Sequence, residues 1–270
     1  MSASPSSIVA ELLPAAAGEW EPVTGGASGA WVFHDPARRR YAKVVPSERV
    51  ADLAAERDRT GWLDETDLPS ASVLDWRETG LGAVLVTRAV PGVSASELDA
   101  ASLRRAWPSI ASVVRDLHHL AVDRCPFDRT LAQMMPLARA TVAEDRVVTE
   151  FLPQELQRTP PRMVLDRVEA ELATRVAQER AGLVVCHGDL TLPNVLVDSG
   201  TGRVTGLIDL GRLGAADPHG DLALLLSEAR RTWADEAMAR RAEREFAEIY
   251  GTEPDPELLD FYLRLDPLTW

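Results

Sequence analysis

Five short strand patterns lie in the first third of the chain, and mainly helical patterns follow them. The strand patterns are WEPV, AWVFHD, RYAKVV, ASVLDW and AVLVTR, all between residues 20 and 88, each bounded by glycine, proline or charged turn residues. One helical pattern interrupts them, from Pro46 to Leu63, with apolar residues near helical spacing. This order predicts a small antiparallel sheet that carries one helix.

The second part of the chain predicts a different kind of lobe. After residue 92 long helical patterns continue to the last residue, and two short strand patterns at 195–197 and 204–208 suggest a hairpin. A β-rich segment followed by an α-rich one predicts an α+β fold of two lobes, with the crevice between them as the default ligand site. We expect the first lobe at 1–88, with its first ten residues frayed, and the second at 89–270.

Charge and cysteine content exclude several classes of partner. Of the 270 residues, 29 are Lys or Arg and 42 are Asp or Glu, so the formal net charge is −13. This charge argues against nucleic acid and anionic membranes and favours a cationic ligand. No apolar run approaches the roughly 18 residues of a membrane span, and the N-terminus does not resemble a secretory signal. Cys125 and Cys186 are expected as thiols in a reducing cytoplasm. No obligatory protein partner is indicated.

The densest set of candidate catalytic residues lies in VVCHGDLTLPNVLVDSGTGRVTGLIDLGRLG, residues 184–214. Phosphoryl transfer from ATP needs a carboxylate that accepts the proton of the attacking hydroxyl, and oxygen ligands for Mg²⁺. Asp189 is the candidate base, and Asn194 and Asp209 are the candidate Mg²⁺ ligands. Alternatively, the three residues only form turns and strand ends, as Asp and Asn often do. Their ordered spacing favours the catalytic interpretation.

Upstream residues could supply the other groups that contact a nucleotide. The turn GGASG, with Gly26 and Ser28, lies between two strand patterns, where small residues let backbone N–H groups approach a phosphate; a plain hairpin turn is the alternative. Lys43 lies inside an apolar strand, either as a phosphate ligand or as an edge-strand gatekeeper. Glu56, on the following helix, either pairs with Lys43 or belongs to a solvated charged face.

Taken together, the motifs resemble the aminoglycoside phosphotransferases, a family with a bilobal protein-kinase-like fold. The likeness rests on HGDLTLPN, IDLGRLG and AADPHGDLALL and runs from the glycine-rich turn to the last residue. Within the family, VTGGASGAWVF, RAWPSI, VDRCPFDR, VVCHGD, GLIDLGRLG and FYLRLDPLTW are similar to streptomycin 3''-phosphotransferases. The resemblance implies that an ATP- and Mg²⁺-dependent enzyme phosphorylates an aminoglycoside, at the 3''-hydroxyl of streptomycin, and so confers antibiotic resistance.

Two alternatives remain open at this point. A kinase of the same fold could act on another aminoglycoside or on a small hydroxylated metabolite, because a fold does not determine a substrate. A protein of this fold could also bind nucleotide without catalysing a reaction. The presence of Lys43, Asp189, Asn194 and Asp209 together argues against an inactive protein.

The resemblance implies roles in ATP binding for particular positions. ATP would lie in the cleft between the two lobes. Gly26, Ser28 and the neighbouring backbone would cover its phosphates. The segment that joins the lobes, Thr87, Arg88 and Ala89, would hold adenine through backbone groups.

Further positions are implied near the catalytic loop and at the C-terminus. His187 and Asp221 would support the catalytic loop, although Asp221 could also be a simple helix N-cap. In related enzymes the C-terminal segment lines the antibiotic site with carboxylates. Asp266 and the terminal carboxylate of Trp270 are therefore candidates for binding a guanidinium or ammonium group of the substrate, because carboxylates form charge-assisted bidentate hydrogen bonds with guanidinium groups.

Overall fold

The computed structural model describes residues 5–13, 20–23 and 29–270. In chain order its strands and α-helices are α1 (Pro5–Leu12), β1 (Glu21–Pro22), β2 (Trp31–His34), β3 (Arg40–Pro46), α2 (Val50–Asp64), β4 (Val73–Thr79), β5 (Gly82–Arg88), β6 (Val93–Ser94), α3 (Ala100–His118), α4 (Leu131–Ala143), α5 (Pro161–Glu179), β7 (Val184–Cys186), β8 (Val195–Val197), β9 (Val204–Leu207), β10 (Gly214–Ala216), α6 (His219–Thr232), α7 (Glu236–Tyr250) and α8 (Pro256–Leu265). The predicted α+β class is confirmed. Across these ranges, no helix has the length and apolar character needed to cross a bilayer.

The five predicted N-terminal strands form one antiparallel sheet in the order β1-β2-β3-β5-β4. The interior strand β5 is an almost continuous apolar run because both of its faces are covered. Val84 and Val86 pack in a core cluster with residues of α1, whereas Ala83 and Leu85 pack in a cluster that includes Leu53 of α2. The antiparallel sheet and the helix that follows β3 are therefore confirmed.

The prediction that the first ten residues are frayed is wrong for residues 5–10, and the described part of the first lobe carries two helices instead of one. Helix α1 buries Ile8, 3% exposed, and Leu12, 0% exposed, against Ala42 and Val44 of β3. An isolated helix of eight residues is not stable in water. Burial of two large aliphatic side chains, worth about 1.5–3 kcal/mol each, stabilises α1 on the sheet.

Two compact units differ in their bounds from the predicted lobes. The first unit comprises Met1–Val93, Leu196–Asp198 and Thr205–Gly211, and the second contains the remainder of the chain. The first unit extends past residue 88 because Gly92 lies against the hairpin. A Cβ at Gly92 would lie 2.4 Å from the carbonyl oxygen of Val197. Asp209 consequently belongs to the same unit as Lys43, although the predicted boundary placed it in the second lobe.

The second unit is built mainly from helices. Its core cluster joins α4, α5 and α8, with Leu131, Leu165 and Phe261 fully buried. A second group surrounds Trp107 of α3, whose Nε1 donates a hydrogen bond to the carbonyl of Ala242 at 2.8 Å. The ring of Trp107 also packs edge-on against Trp233, with 5.4 Å between ring centroids.

Short strands on either side of the catalytic motif determine where its loop begins and ends. Strand β7 pairs antiparallel with β10, with Cys186 opposite Gly214. Neither strand was predicted, because three residues are too few to show a strand pattern. The predicted hairpin is confirmed as β8 and β9, which belong to a sheet of order β6-β8-β9. Both cysteines are thiols, and Cys186 is buried at the end of β7.

Candidate active site

Within the second unit, the loop between β7 and β8 brings Asp189 and Asn194 together. The side-chain amide of Asn194 donates to the backbone carbonyl of Asp189 at 2.8 Å and to its Oδ2 at 3.1 Å. Asn194 is 8% exposed and ends the 3-10 turn Leu192–Asn194, which orients its side chain back toward Asp189. Because the amide nitrogen faces Asp189, the amide oxygen is the atom suited to bind a hard cation.

Gly188 explains why the loop can turn immediately before Asp189. Its φ angle is +80°, and a Cβ at this position would lie 2.1 Å from the carbonyl oxygen of Arg212. Any side chain would meet backbone atoms here and would also adopt a disfavoured left-handed conformation. A glycine between His187 and Asp189 is therefore required by the close approach of two backbone segments.

Asp221, in the first turn of α6, holds the N-terminal end of this loop. Its Oδ2 accepts a hydrogen bond from His187 N–H at 2.6 Å, and its Oδ1 accepts one from Gly188 N–H at 2.8 Å. Burial would raise the pKa of Asp221, but the hydrogen bond and charge of His118, together with His187, outweigh burial and lower it. The N-cap of α6 is Pro218, so the alternative interpretation of Asp221 as an N-cap is wrong.

His118 is a partner of Asp221 that sequence reasoning missed. Its Nε2 lies 3.2 Å from Asp221 Oδ2, and its Nδ1 lies 2.8 Å from the hydroxyl of Tyr250. In the sequence, His118 is only one of two adjacent histidines in the helical pattern of α3. No local signal could find this pair, because His118 and Asp221 are 103 residues apart.

The first unit brings Lys43, Glu56 and Asp209 together. Lys43 Nζ lies 2.7 Å from Glu56 Oε2 and 3.0 Å from Asp209 Oδ1. Because β3 lies between β2 and β5, Lys43 is not on an edge strand, and the gatekeeper interpretation is wrong. The side chain of Glu56 is only 14% exposed, so its interpretation as part of a solvated face is also wrong.

Burial and neighbouring charges both shift the pKa values of Lys43 and Glu56. Burial disfavours the Lys43 ammonium, but Glu56 and Asp209 outweigh burial and raise the pKa of Lys43. The pKa of Glu56 is also raised, by burial first and by the charge of Asp209, while Lys43 opposes the change. Asp209 has a φ of +59°, a left-handed conformation that turns the chain just after β9. The ammonium is therefore charged at neutral pH and faces the carboxylate predicted to bind Mg²⁺.

The segment predicted to hold adenine lies at the end of β5. The backbone N–H of Arg88 donates to the carbonyl of Ser72 at 2.8 Å, and that of Ala89 donates to the carbonyl of Arg39 at 2.9 Å. Backbone contacts from these two residues to a base would accordingly use their carbonyl oxygens. Gly26 and Ser28, predicted to cover the phosphates, lie outside the described residues.

Asp266, a predicted substrate contact, lies among groups of the chain itself. Its Oδ1 is 3.3 Å from Arg212 Nη1 and 3.8 Å from Arg129 Nη2, and its Oδ2 accepts a hydrogen bond from Trp270 Nε1 at 3.1 Å. Asp266 is 8% exposed. A substrate cation at this carboxylate would have to share it with two arginines, and the role of Asp266 stays a prediction.

The two arginines, Arg129 and Arg212, were not predicted as site residues. The guanidinium of Arg212 lies 3.4 Å from the centre of the Trp270 ring and donates to the carbonyl of Thr269 at 3.2 Å. Burial, and then repulsion from Arg212, lower the pKa of Arg129 to about 10 although Asp266 opposes the shift. Together these contacts fix the C-terminal turn. Arg212 lies within the recognised GRLG motif, but spacing alone does not reveal its partners.

Oxygen ligands suited to Mg²⁺ are present in each unit. Asn194 offers an amide oxygen, and Asp209 offers a carboxylate that is 42% exposed. Another cluster, His118, Cys186 and Asp221, has potential ligand atoms within 4.8 Å of one another. Burial raises the pKa of Cys186 far above its usual range, so the thiol is protonated and a poor metal ligand. Asn194 and Asp209 each offer an oxygen of the kind that Mg²⁺ binds, and their role as its ligands stays a prediction.

Known proteins similar to this chain are phosphotransferases. Residues 19–262 match the phosphotransferase enzyme family. The chain is 53% identical to a streptomycin 3''-kinase of Streptomyces griseus, over 98% of this chain and 97% of that relative. It is 39% identical to an aminoglycoside 3'-phosphotransferase of Streptomyces fradiae, over 92% of this chain and 94% of the relative.

A solved structure shows the same similarity. It is aminoglycoside phosphotransferase APH(3'')-Id from Streptomyces rimosus in complex with ADP and streptomycin, 48% identical, with a TM-score of 0.92 and 98% of each chain covered. The predicted protein-kinase-like fold is thereby confirmed.

Proposed function

Because the chain belongs to the phosphotransferase enzyme family, we propose that it transfers the γ-phosphoryl group of ATP to the 3''-hydroxyl of streptomycin and so confers resistance. The observation that carries this proposal is the pair Asp189 and Asn194, which are joined by a hydrogen bond of 3.1 Å. Asp221 holds the start of their loop by accepting hydrogen bonds from the N–H groups of His187 and Gly188. A base and a metal ligand held side by side match what phosphoryl transfer requires. The streptomycin assignment rests on the relatives described above.

In the proposed reaction Asp189 is the general base. It accepts the proton of the attacking sugar hydroxyl while that oxygen forms a bond to the γ-phosphorus. The bond between the γ-phosphorus and the bridging oxygen breaks, and ADP leaves with that oxygen. Lys43, held by Glu56 at 2.7 Å, would contact the ATP phosphates and offset their negative charge. Mg²⁺ bound through Asn194 and Asp209 would supply further charge neutralisation at the phosphates.

The charge of the chain supports a cationic substrate. The formal net charge is −13, which favours approach of a guanidinium-bearing aminoglycoside and disfavours nucleic acid or anionic lipid. Asp266 and the carboxylate of Trp270 remain the proposed contacts for the substrate cations. The two thiols, Cys125 and Cys186, support a reducing cytoplasmic location.

Purified protein incubated with ATP labelled on its γ-phosphate and a panel of aminoglycosides tests the proposal. We expect label to appear on streptomycin, to be lost when EDTA removes divalent cations, and to map to the 3'' position by NMR of the product. If label appears only on a different aminoglycoside, or only on a small metabolite, then that compound and not streptomycin is the substrate. Nucleotide binding without transfer to any acceptor would instead support an inactive binding protein.

A further inference from the structure

A second carboxylate of α6 holds the other end of the catalytic loop. Oε2 of Glu228 accepts a hydrogen bond from the backbone N–H of Leu192 at 2.6 Å. Leu192 begins the 3-10 turn that ends at Asn194, and its side chain is 1% exposed. The contact therefore anchors the turn that presents Asn194 to Asp189.

The two anchors lie on one face of the same helix. Asp221 and Glu228 are seven residues apart, close to two helical turns, so their side chains point in nearly the same direction and are separated by about 10 Å along the axis. Asp221 binds the N–H groups of His187 and Gly188, and Glu228 binds the N–H group of Leu192. Helix α6 thus holds the catalytic loop at both ends, with Asp189 between the anchors.

A serine from a different segment contacts the same turn. The hydroxyl of Ser94 lies 3.3 Å from the carbonyl oxygens of both Leu192 and Pro193. These are long contacts that share one hydroxyl proton, and the Ser94 hydroxyl also bonds with Ser96 Oγ at 2.7 Å, where either oxygen can donate. Each contact to the turn is therefore weaker than the Glu228 bond. The Glu228 contact, at 2.6 Å, is shorter than either serine contact, so Glu228 is the stronger of the two attachments. Burial raises the pKa of Glu228, and the Leu192 N–H opposes that shift.

We propose that Glu228 is a positioning residue that sets the distance between the catalytic base Asp189 and the metal ligand Asn194. This inference rests on the proposed function. Glu228 acts through the Leu192–Asn194 turn and does not touch substrate or metal itself. Loss of its acceptor frees the turn, so the amide oxygen of Asn194 is no longer held in place for Mg²⁺.

Three variants test this role. Glu228→Ala removes the acceptor, Glu228→Gln keeps an acceptor oxygen without charge, and Glu248→Ala removes an exposed glutamate of α7 as the matched control. Glu228→Met removes the acceptor but keeps side-chain volume, which covers the case in which the alanine variant does not fold. Measurements are kcat, the KM for streptomycin and the half-saturating Mg²⁺ concentration.

We expect Glu228→Ala and Glu228→Met to lower kcat about tenfold and to raise the half-saturating Mg²⁺ concentration by a similar factor, as for other groups that orient metal ligands. The KM for streptomycin should change less than about twofold, because substrate binding is not what the turn controls. Glu228→Gln should recover most of the wild-type kcat, and Glu248→Ala should match wild type.

Two further readouts do not depend on turnover. Hydrogen exchange across residues 187–197 should be faster in Glu228→Ala and Glu228→Met than in Glu228→Gln. Binding of Mn²⁺ in the presence of ADP, followed by electron paramagnetic resonance, should weaken in the same order. Unchanged exchange and unchanged Mn²⁺ affinity in both acceptor-free variants would overturn the proposal, as would an equal loss in Glu228→Gln. If wild-type protein phosphorylates no aminoglycoside, the proposed function fails, whereas exchange and Mn²⁺ binding still decide the role of Glu228.

Discussion

The loop that carries Asp189 and the triad that contains Lys43 hold their functional groups by different interactions. In the second unit, the carboxylate of Asp221 accepts hydrogen bonds from two backbone N–H groups and contacts His118. No part of the Asp221 side chain is exposed. In the first unit, Lys43 is held by two carboxylates, and one of them, that of Asp209, is 42% exposed. The first arrangement fixes backbone geometry, whereas the second fixes the charge of an ammonium.

The difference in burial implies different consequences of mutation. Removing one partner of a buried, fully hydrogen-bonded charge typically destabilises a protein by about 3–5 kcal/mol. An ion pair open to solvent contributes about 0–1 kcal/mol, and the Lys43–Glu56 pair, with side chains 18% and 14% exposed, lies between these two cases. We therefore expect changes around Asp221 to affect folding and activity together, and changes at Lys43 to affect mainly the handling of phosphate charge.

The largest expected effect is that of Asp189→Ala. Loss of a general base should lower kcat by about 10²–10⁴-fold, because the attacking hydroxyl keeps its proton. Stability and nucleotide affinity should stay near wild type, since the anchors of the loop are intact. Steady-state kinetics with streptomycin and calorimetric titration with ADP measure both quantities. Unchanged turnover would show that Asp189 is not the general base, and the loop that carries it would then have no catalytic role to compare with that of the Lys43 triad.

Asp221→Ala should have the largest effect on stability. It leaves His118 and the N–H groups of His187 and Gly188 without their acceptor, so the free energy of unfolding should fall by about 3–5 kcal/mol. Urea unfolding followed by circular dichroism measures the change. Asp221→Asn, which keeps one acceptor oxygen, should lose less. A loss below about 1 kcal/mol in the alanine variant would place Asp221 with the exposed pairs and contradict the comparison.

Lys43→Met should separate electrostatics from stability. Without the ammonium, kcat/KM for ATP should fall about a hundredfold, as for loss of other groups that stabilise developing charge. The free energy of unfolding should fall by less than in Asp221→Ala, because the side chains of Lys43 and Glu56 keep 18% and 14% exposure and Glu56 can take up a proton when its partner is lost. Steady-state kinetics at varied ATP concentration measure kcat/KM, and urea unfolding measures the free energy of unfolding. Equal damage to stability would mean that Lys43, like Asp221, is a structural anchor.

Glu179 sharpens the comparison, because it is a buried carboxylate with a weaker set of partners. It accepts a hydrogen bond from Leu131 N–H at 2.8 Å, yet burial raises its pKa to about 7. A raised carboxyl pKa means that the folded state binds the proton more tightly than the unfolded state. Its contribution to stability is therefore present at acidic pH and lost as pH rises through about 7.

Glu179→Gln should remove this pH dependence. The amide keeps an acceptor oxygen for Leu131 N–H but carries no charge, so the variant should be more stable than wild type at pH 8 by about 2 kcal/mol. The difference should shrink toward pH 5. Thermal or urea unfolding of both proteins at several pH values measures it. A variant that is no more stable at pH 8 would show that the buried carboxylate is not a source of instability.

The sequence alone identified the groups that act over short distances along the chain. Alternation and turn residues located the five strands of the first sheet, and the spacing in HGDLTLPN located Asp189 and Asn194, which lie five residues apart and contact each other. Lys43 and Glu56 are thirteen residues apart and were paired by their order on a strand and the next helix. In each case one or two neighbouring elements fix the geometry, so local pattern is sufficient.

Tertiary structure alone decided which distant groups hold these residues in place. His118 reaches Asp221 from 103 residues away, Glu228 reaches Leu192 from 36, and Arg212 reaches Asp266 from 54. The helix at residues 5–12 likewise exists because a sheet buries its apolar side. A local pattern records which side of a helix is apolar, but the partner of a buried polar group depends on how separate helices pack, and that packing is set by the whole core.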